Sequence, residues 1–210
     1  MIMEDNLLMP LNLVISEIQK RILKQSTYAG INCRKSPLDF WVYQEIIFDI
    51  KPDIIIEIGS YEGGSALAFA HLCDAIGKGM IISMDINNYI HPLAKKHPRI
   101  KFLIGDACEL YPQVFNLCKD AKTILINEDS AHTYSNTLNI LNKYSFLVTL
   151  GSYFIVEDSN CHHGLNVGPN PGPYEAILEF LNKNKKFISD REKESFLITW
   201  NPRGYLKRVS

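Results

Sequence analysis

"KPDIIIEIGSYEGGSALAFA", from Lys51 to Ala70, decides the fold of this 210-residue chain. Its isoleucines favour an extended backbone, and a strand is predicted over Asp53–Glu57. Gly59, Gly63 and Gly64 then bend the chain, after which Phe69, Cys73 and Ile76 recur at helical spacing. A strand, a glycine turn and a helix in that order form a unit that usually holds a nucleotide-like ligand.

Downstream of this unit, short β-rich runs alternate with helical patterns. Strands are predicted at Met80–Met84, Ile100–Ile104, Thr123–Ile126 and Tyr153–Val156. Tyr134, Leu138 and Leu141 mark one face of a helix, and Tyr174–Asn182 reads as another. This alternation predicts a parallel sheet covered on both faces. Lys186–Ser189, Phe196–Trp200 and Tyr205–Val209 read as closely spaced strands, the last set off by the turn "NPRG". Upstream, Leu11–Ile22 is amphipathic, and "KSPLDF" reads as a loop before a helix near Trp41–Ile47. The expectation is an α/β fold with a doubly wound, mostly parallel sheet and an antiparallel C-terminal addition. Residues 1–50 form a helical extension in this reading, and 51–210 the main domain.

Bulk properties narrow the function. The chain is 46% hydrophobic with a formal charge of −1, so no basic excess points to nucleic acid. Its apolar runs are short, which predicts no membrane span, and "MIMEDNLLMPLNLVI" lacks the basic start of a signal peptide. Five cysteines (Cys33, Cys73, Cys108, Cys118, Cys161) form no CxxC pair and fit reduced thiols in the cytoplasm. Leu11, Ile15, Ile18 and Ile22 make an apolar face that can meet the chain's own domain or a second copy, so a homo-oligomer is compatible with it.

The charges of the glycine turn select its ligand. It reads Glu57-Ile58-Gly59-Ser60-Tyr61-Glu62-Gly63-Gly64-Ser65, with no lysine for a terminal phosphate and no GxGxxG spacing for a pyrophosphate. Its glutamates repel such anions, which disfavours a dinucleotide-dependent oxidoreductase, and suit a cation. S-adenosylmethionine (SAM) carries an ammonium and a sulfonium and no phosphate. Glu57 can accept from the ammonium while Gly59 allows close approach of the backbone. Asp85 ends the second strand, where a carboxylate can take ribose hydroxyls. Asp106 follows the third, where it or its neighbouring amides can meet the adenine, although a helix N-cap is the plain alternative for any one such acid.

A second set of acids ends the fourth and fifth strands: Glu128 and Asp129 in "TILINEDSAH", Glu157 and Asp158 in "YFIVEDSN". Adjacent parallel strands bring these ends together, and converging carboxylates call for a cation. Hard oxygen ligands without cysteine favour Mg²⁺, Mn²⁺ or Ca²⁺. The alternative is that two of the four face solvent. His132, three residues beyond Asp129, has a side chain whose ordinary pKa of about 6.5 suits a general base. The loop "SNCHHGLNVGPNPGP" (159–173) reads as a lid or binding loop.

Taken together, "KPDIIIEIGSYEGGSALAFA", "DSAH", "GSYFIVEDSN", "GPYEAILEFL" and "NPRGYLKR" resemble the cephalosporin hydroxylase family, which includes rhamnosyl and other sugar O-methyltransferases. The likeness runs from about Lys35 nearly to the C-terminus. It implies a class I methyltransferase fold, a SAM site over Glu57, Gly59, Ser60, Gly63, Gly64, Ser65, Asp85 and Asp106, and a magnesium site. The family's metal acids fall on Asp129, Glu157 and Asp158, with Glu128 as a neighbour. The layout is also similar to catechol O-methyltransferase, whose catalytic lysine falls where His132 stands here. Ala131 departs from the acidic or amide residue common in "DSxH". The sequence has no HxD…H iron motif, so the resemblance implies methyl transfer to a hydroxyl of a sugar or other polyol, catalysed with His132 and Asp129. The rivals are a hydroxylase-like enzyme of secondary metabolism and a non-catalytic SAM-binding module.

Overall fold

The computed structural model describes residues 2–210. Helix α1 (Leu11–Gln25) is followed by a two-stranded hairpin, β1 (Thr27–Tyr28) and β2 (Ile31–Asn32), and by α2 (Pro37–Ile50). Strand β3 (Ile54–Ile58), α3 (Gly64–Ile76), β4 (Met80–Asp85), α4 (Pro92–Lys95), β5 (Ile100–Ile104), α5 (Ala107–Leu117), β6 (Ile124–Glu128), α6 (Tyr134–Tyr144) and β7 (Tyr153–Val156) come next. Helix α7 (Pro173–Lys183), β8 (Phe187–Ser189) and β9 (Tyr205–Arg208) close the chain.

The main sheet has the order β5-β4-β3-β6-β7-β9-β8. Strands β3 to β7 are mutually parallel, and β9 runs antiparallel to both β7 and β8. The doubly wound sheet with an antiparallel end is therefore the observed architecture. Its two cores follow from the two-residue period of a strand. Ile54, Ile56 and Ile58 of β3 face one side with Ile124 and Ile126 of β6, against α5, α6 and α7. Ile55 and Leu125 face the other side, against α2 and α3. Each buried isoleucine contributes roughly 1.5–3 kcal/mol, which fixes the register and so the height at which each strand end stops. Val42, Tyr43, Ile46 and Ile47 of α2 belong to that second core.

Three local features differ from the sequence reading. "KSPLDF" is no loop beyond Ser36: Ser36 caps α2, accepting from the Asp39 amide, and Pro37 opens the helix. Phe196–Trp200 forms no strand, because the Trp200 amide donates to Asp39 Oδ2 at 2.9 Å and Thr199 also bonds Asp39. Helix α5 went unforeseen; Asp106 starts it as N-cap and Pro112 lies inside it. All five cysteines are free thiols, and Cys73 is buried on α3. Among the described residues no helix is long and apolar enough to cross a membrane.

Candidate active site

Strand order reverses between β3 and β6, and a crevice opens beyond the carboxyl ends of strands at such a point. A cavity of about 750 Å³ lies there, within the range of roughly 300–1,000 Å³ usual for small ligands. Its walls come from the ends of β3 to β7, the segment after the hairpin, the loop after β7 and α1.

The half beyond β3, β4 and β5 presents Gly59, Ser60, Ser65, Asp85 and Asp106 to the cavity. Asp85 accepts from the Tyr61 amide through Oδ2 at 2.8 Å and from the Asn87 amide through Oδ1 at 2.9 Å. It thereby holds the glycine turn to the end of β4. Asp106 accepts from the Cys108 and Glu109 amides as the cap of α5, so one acid serves as cap and cavity wall at once.

The remaining residues of the turn act from behind. Glu57 is fully buried; Oε2 accepts from Ser83 Oγ at 2.5 Å and Oε1 has no partner. Burial pushes its carboxyl above the ordinary range, and the Lys35 ammonium pulls it partly back. Gly59 has φ +102°, and a Cβ there would enter the Asp129 carbonyl. The close approach it permits is thus between the ends of β3 and β6. Gly63 packs on Ala94 and Phe102, and Gly64 on the Asn32 carbonyl, where added Cβ atoms would come within 3.0 Å and 2.5 Å. These two glycines seat α3 and do not line the cavity.

In the other half, Asp129, His132 and Asp158 line the cavity and bring ligand atoms within 4.8 Å of one another. His132 Nε2 stands 3.6 Å from Asp129 Oδ1 and 3.5 Å from Asp158 Oδ2. Those separations exceed a hydrogen bond. The imidazole thus faces both carboxylates across a gap. Desolvation pulls the His132 imidazole down, but Asp129, Asp158 and Glu128 outweigh it and hold its pKa above the ordinary value. Burial, aided by Asp129, pushes Asp158 up to about 6 against the opposing pull of His132. Glu128 sits just behind, its Oε1 accepting from Ser130 and its buried Oε2 unpartnered.

Glu157 takes a different place from its sequence neighbour. Its Oε1 accepts from Lys35 Nζ and from Asn127 Nδ2, both at 2.6 Å, and the residue lies outside the Asp129–His132–Asp158 group. Strand parity explains this, since Asn127 and Glu57 are paired in register on the face that carries α2 and α3. Lys35 is buried and also pairs with Asp129 Oδ2. Burial disfavours its charge, yet Asp129, Glu157 and Glu57 hold its pKa well above the ordinary lysine range.

The third wall is apolar. Ile22 and Leu23 of α1, Val167 and Pro169 of the 159–173 loop, and Trp200 line it. Trp200 Nε1 donates to Gln19 Oε1 at 2.5 Å, which ties α1 to the chain's far end. The long loop therefore does contribute a wall, through Cys161, Val167, Gly168 and Pro169. His163 instead stacks on Tyr174 and pairs with Glu175, and His162 bonds the Gly168 carbonyl.

Lys35, Gln19, Trp200 and Asn127 escaped the sequence reading. A polar Asn inside the apolar run "TILIN" is the one signal that could have exposed Asn127. Lys35 could be placed only once the hairpin, which turns at Ala29 and Gly30, was known.

The family described as Rhamnosyl O-methyltransferase/CmcI matches residues 20–209. A rhamnosyl O-methyltransferase of Mycobacterium bovis is 34% identical over 197 residues, covering 88% of this chain and 78% of that protein. One from Mycobacterium leprae is 33% identical over 195 residues, covering 87% and 83%. Among solved structures, CmcI with Mg and SAM superposes with a TM-score of 0.70 at 24% identity, covering 88% of this chain and 77% of CmcI. An O-methyltransferase from Bacillus cereus in complex with S-adenosylhomocysteine gives a TM-score of 0.55 at 16% identity, covering 87% and 84%. These superpositions show the class I methyltransferase fold.

Proposed function

The chain belongs to the Rhamnosyl O-methyltransferase/CmcI family, and on that premise we propose that it moves a methyl group from SAM to a hydroxyl of a sugar, with Mg²⁺ as a second cofactor. The observation that carries the reading is the joining of two halves in one cavity. Asp85 and Asp106 line one half, and Asp129, His132 and Asp158 the other. The names of the mycobacterial relatives support a sugar acceptor, and the CmcI structure with Mg and SAM supports the cofactor pair.

The donor set suits a hard divalent ion: the carboxylates of Asp129 and Asp158 without cysteine, with unpartnered buried oxygens on Glu57 and Glu128 nearby. Asp129 and Asp158 would hold the ion, with Glu157 as the third acid of the family's set. Bound there, Mg²⁺ would lower the pKa of an acceptor hydroxyl and offset its growing charge. SAM would lie over Gly59, Ser60, Ser65, Asp85 and Asp106, with Glu57, Gly63 and Gly64 shaping the turn beneath it.

His132 is the base of this reading. Its Nε2 takes the hydroxyl proton, and Asp129 and Asp158 stabilise the resulting imidazolium. The acceptor oxygen then forms a bond to the methyl carbon as the carbon–sulfur bond breaks, leaving its electron pair on the neutral sulfur of S-adenosylhomocysteine. Alignment within a walled cavity supplies most of the acceleration.

The test has two arms. Calorimetry with SAM, with and without Mg²⁺, measures cofactor binding, and millimolar SAM without heat would end the reading. Release of S-adenosylhomocysteine is then followed over a panel of alkyl rhamnosides, other hexosides and non-sugar polyols. Release with the rhamnosides or hexosides supports a sugar acceptor. Release confined to the polyols would refute that part, and SAM binding without turnover on any acceptor would favour a non-catalytic module.

A further inference from the structure

The least expected group at this site is a cation already in place. Lys35 leaves the segment between β2 and α2, is 5% exposed, and reaches the carboxyl end of the sheet from the α2–α3 side. Its ammonium pairs with Asp129 Oδ2 and, at 2.6 Å, with Glu157 Oε1. Asp129 is thus shared between two groupings, because its Oδ1 faces His132 in the cavity.

Charge balance shows what this does. Five carboxylates (Glu57, Glu128, Asp129, Glu157, Asp158) act on Lys35 or on its neighbour His132. One ammonium cannot offset five carboxylates, three of them buried (Glu57, Glu128 and Glu157), and two of those keep an oxygen with no partner at all. Like-charged buried groups are costly unless a cation stands among them. A cation that occupies Asp129 and Glu157 also opposes the arrival of another positive charge nearby, and the opposition is strong where water is excluded.

We propose that Lys35 is a resident counter-cation of the acid cluster, holding part of a divalent ion's place in the metal-free protein and setting how tightly the cluster takes that ion. The proposal rests on the reading above that the cluster binds a divalent cation. It acts through Asp129 and Glu157, so Lys35 is a positioning residue. It makes the metal-free fold tolerable at the cost of metal affinity.

The test titrates Mn²⁺ into the full chain, followed by electron paramagnetic resonance, and measures thermal unfolding in a chelator and in Mn²⁺. Lys35→Met should unfold at lower temperature than wild type in the chelator. It should bind Mn²⁺ at least tenfold more tightly and gain more in Tm from the ion. Lys35→Arg, which keeps the charge, should bind Mn²⁺ within about threefold of wild type. Folding of Lys35→Met only in the presence of Mn²⁺ would support the proposal, since the ion then replaces the lost charge. Unchanged or weaker Mn²⁺ binding in a folded Lys35→Met would overturn it. So would failure of both Lys35→Met and Lys35→Gln to fold even with Mn²⁺, because the lysine would then be a structural charge no ion can replace. If wild type itself binds no Mn²⁺, the metal reading fails first, and the proposal with it.

Discussion

His132 and Asp158 face each other at 3.5 Å from backbones that both lie in the left-handed region, at φ 52° and 53°. Neither is glycine, and holding such residues there costs of order 1 kcal/mol or more apiece. The surrounding fold imposes both bends, and both turn a side chain toward one point in the cavity.

The imidazole half of this pair is expected to carry proton removal. His132→Gln should lower kcat by roughly 10²–10⁴-fold, the usual worth of a general base. SAM affinity measured by calorimetry should stay within a few-fold of wild type, since the residues proposed to hold SAM line the half beyond β3, β4 and β5. A retained kcat would remove the histidine from the mechanism.

The carboxylate half should trade stability for function. The pKa of Asp158 is pushed up to about 6 by burial and Asp129, above roughly 3.9 for a free aspartate. The folded state therefore holds this proton more tightly than the unfolded one. Its stabilising effect is full below about pH 4 and is lost as pH rises through about 6. In a chelator, Asp158→Asn should be more stable than wild type at pH 7.5 by about 1 kcal/mol, and equal to it at pH 4. That figure is discounted because 32% of the side chain remains exposed. Denaturant titrations at the two pH values check it, and equal stabilities at pH 7.5 would contradict it.

Gly59 cannot be replaced cheaply. A methyl group there meets the Asp129 carbonyl, and the backbone sits at φ +102°. Gly59→Ala should cost about 2–4 kcal/mol, combining steric overlap with backbone strain. It should also displace the end of β6 and so depress methyl transfer. A variant with wild-type Tm and activity would show that the two strand ends separate easily.

Acceptor choice should map to the apolar wall. Gln19→Leu removes the acceptor of the Trp200 indole hydrogen bond, and Trp200→Phe keeps a ring without the donor. Each should raise KM for the acceptor about three- to tenfold while leaving the Kd for SAM unchanged. Kinetics over the same sugar panel, alongside calorimetry, separate the two effects; a changed Kd for SAM would place the wall in the cofactor half.

Much of the scaffold was legible because isoleucine runs between turn residues declare buried parallel strands. "IIIEI" and "ILINE" became β3 and β6 within a residue or two of their expected ends. The acids at those ends were legible for the same reason. What stayed hidden depended on partners distant in sequence. Asp39 looked like a loop acid, yet it draws the Thr199 and Trp200 region away from the strand expected there. Glu157 and Asp158 look equivalent in "VEDS", but side-chain alternation and Lys35 send them to different surroundings. No local pattern encodes a lysine that finds its carboxylates 94 and 122 positions along the chain.

The seam between α1 and the region of Trp200 gives the cavity an order of completion. Ile15 and Ile22 pack with Leu165 and Trp200, so this wall joins the two ends of the chain. The half formed by β3, β4 and β5 needs only neighbouring stretches of sequence to close, whereas the apolar wall must wait for a long loop to be brought round. On the ribosome, the half proposed for SAM can close before the apolar wall does. Inherited variation near either end can likewise reshape that wall while leaving the half beyond β3, β4 and β5 intact.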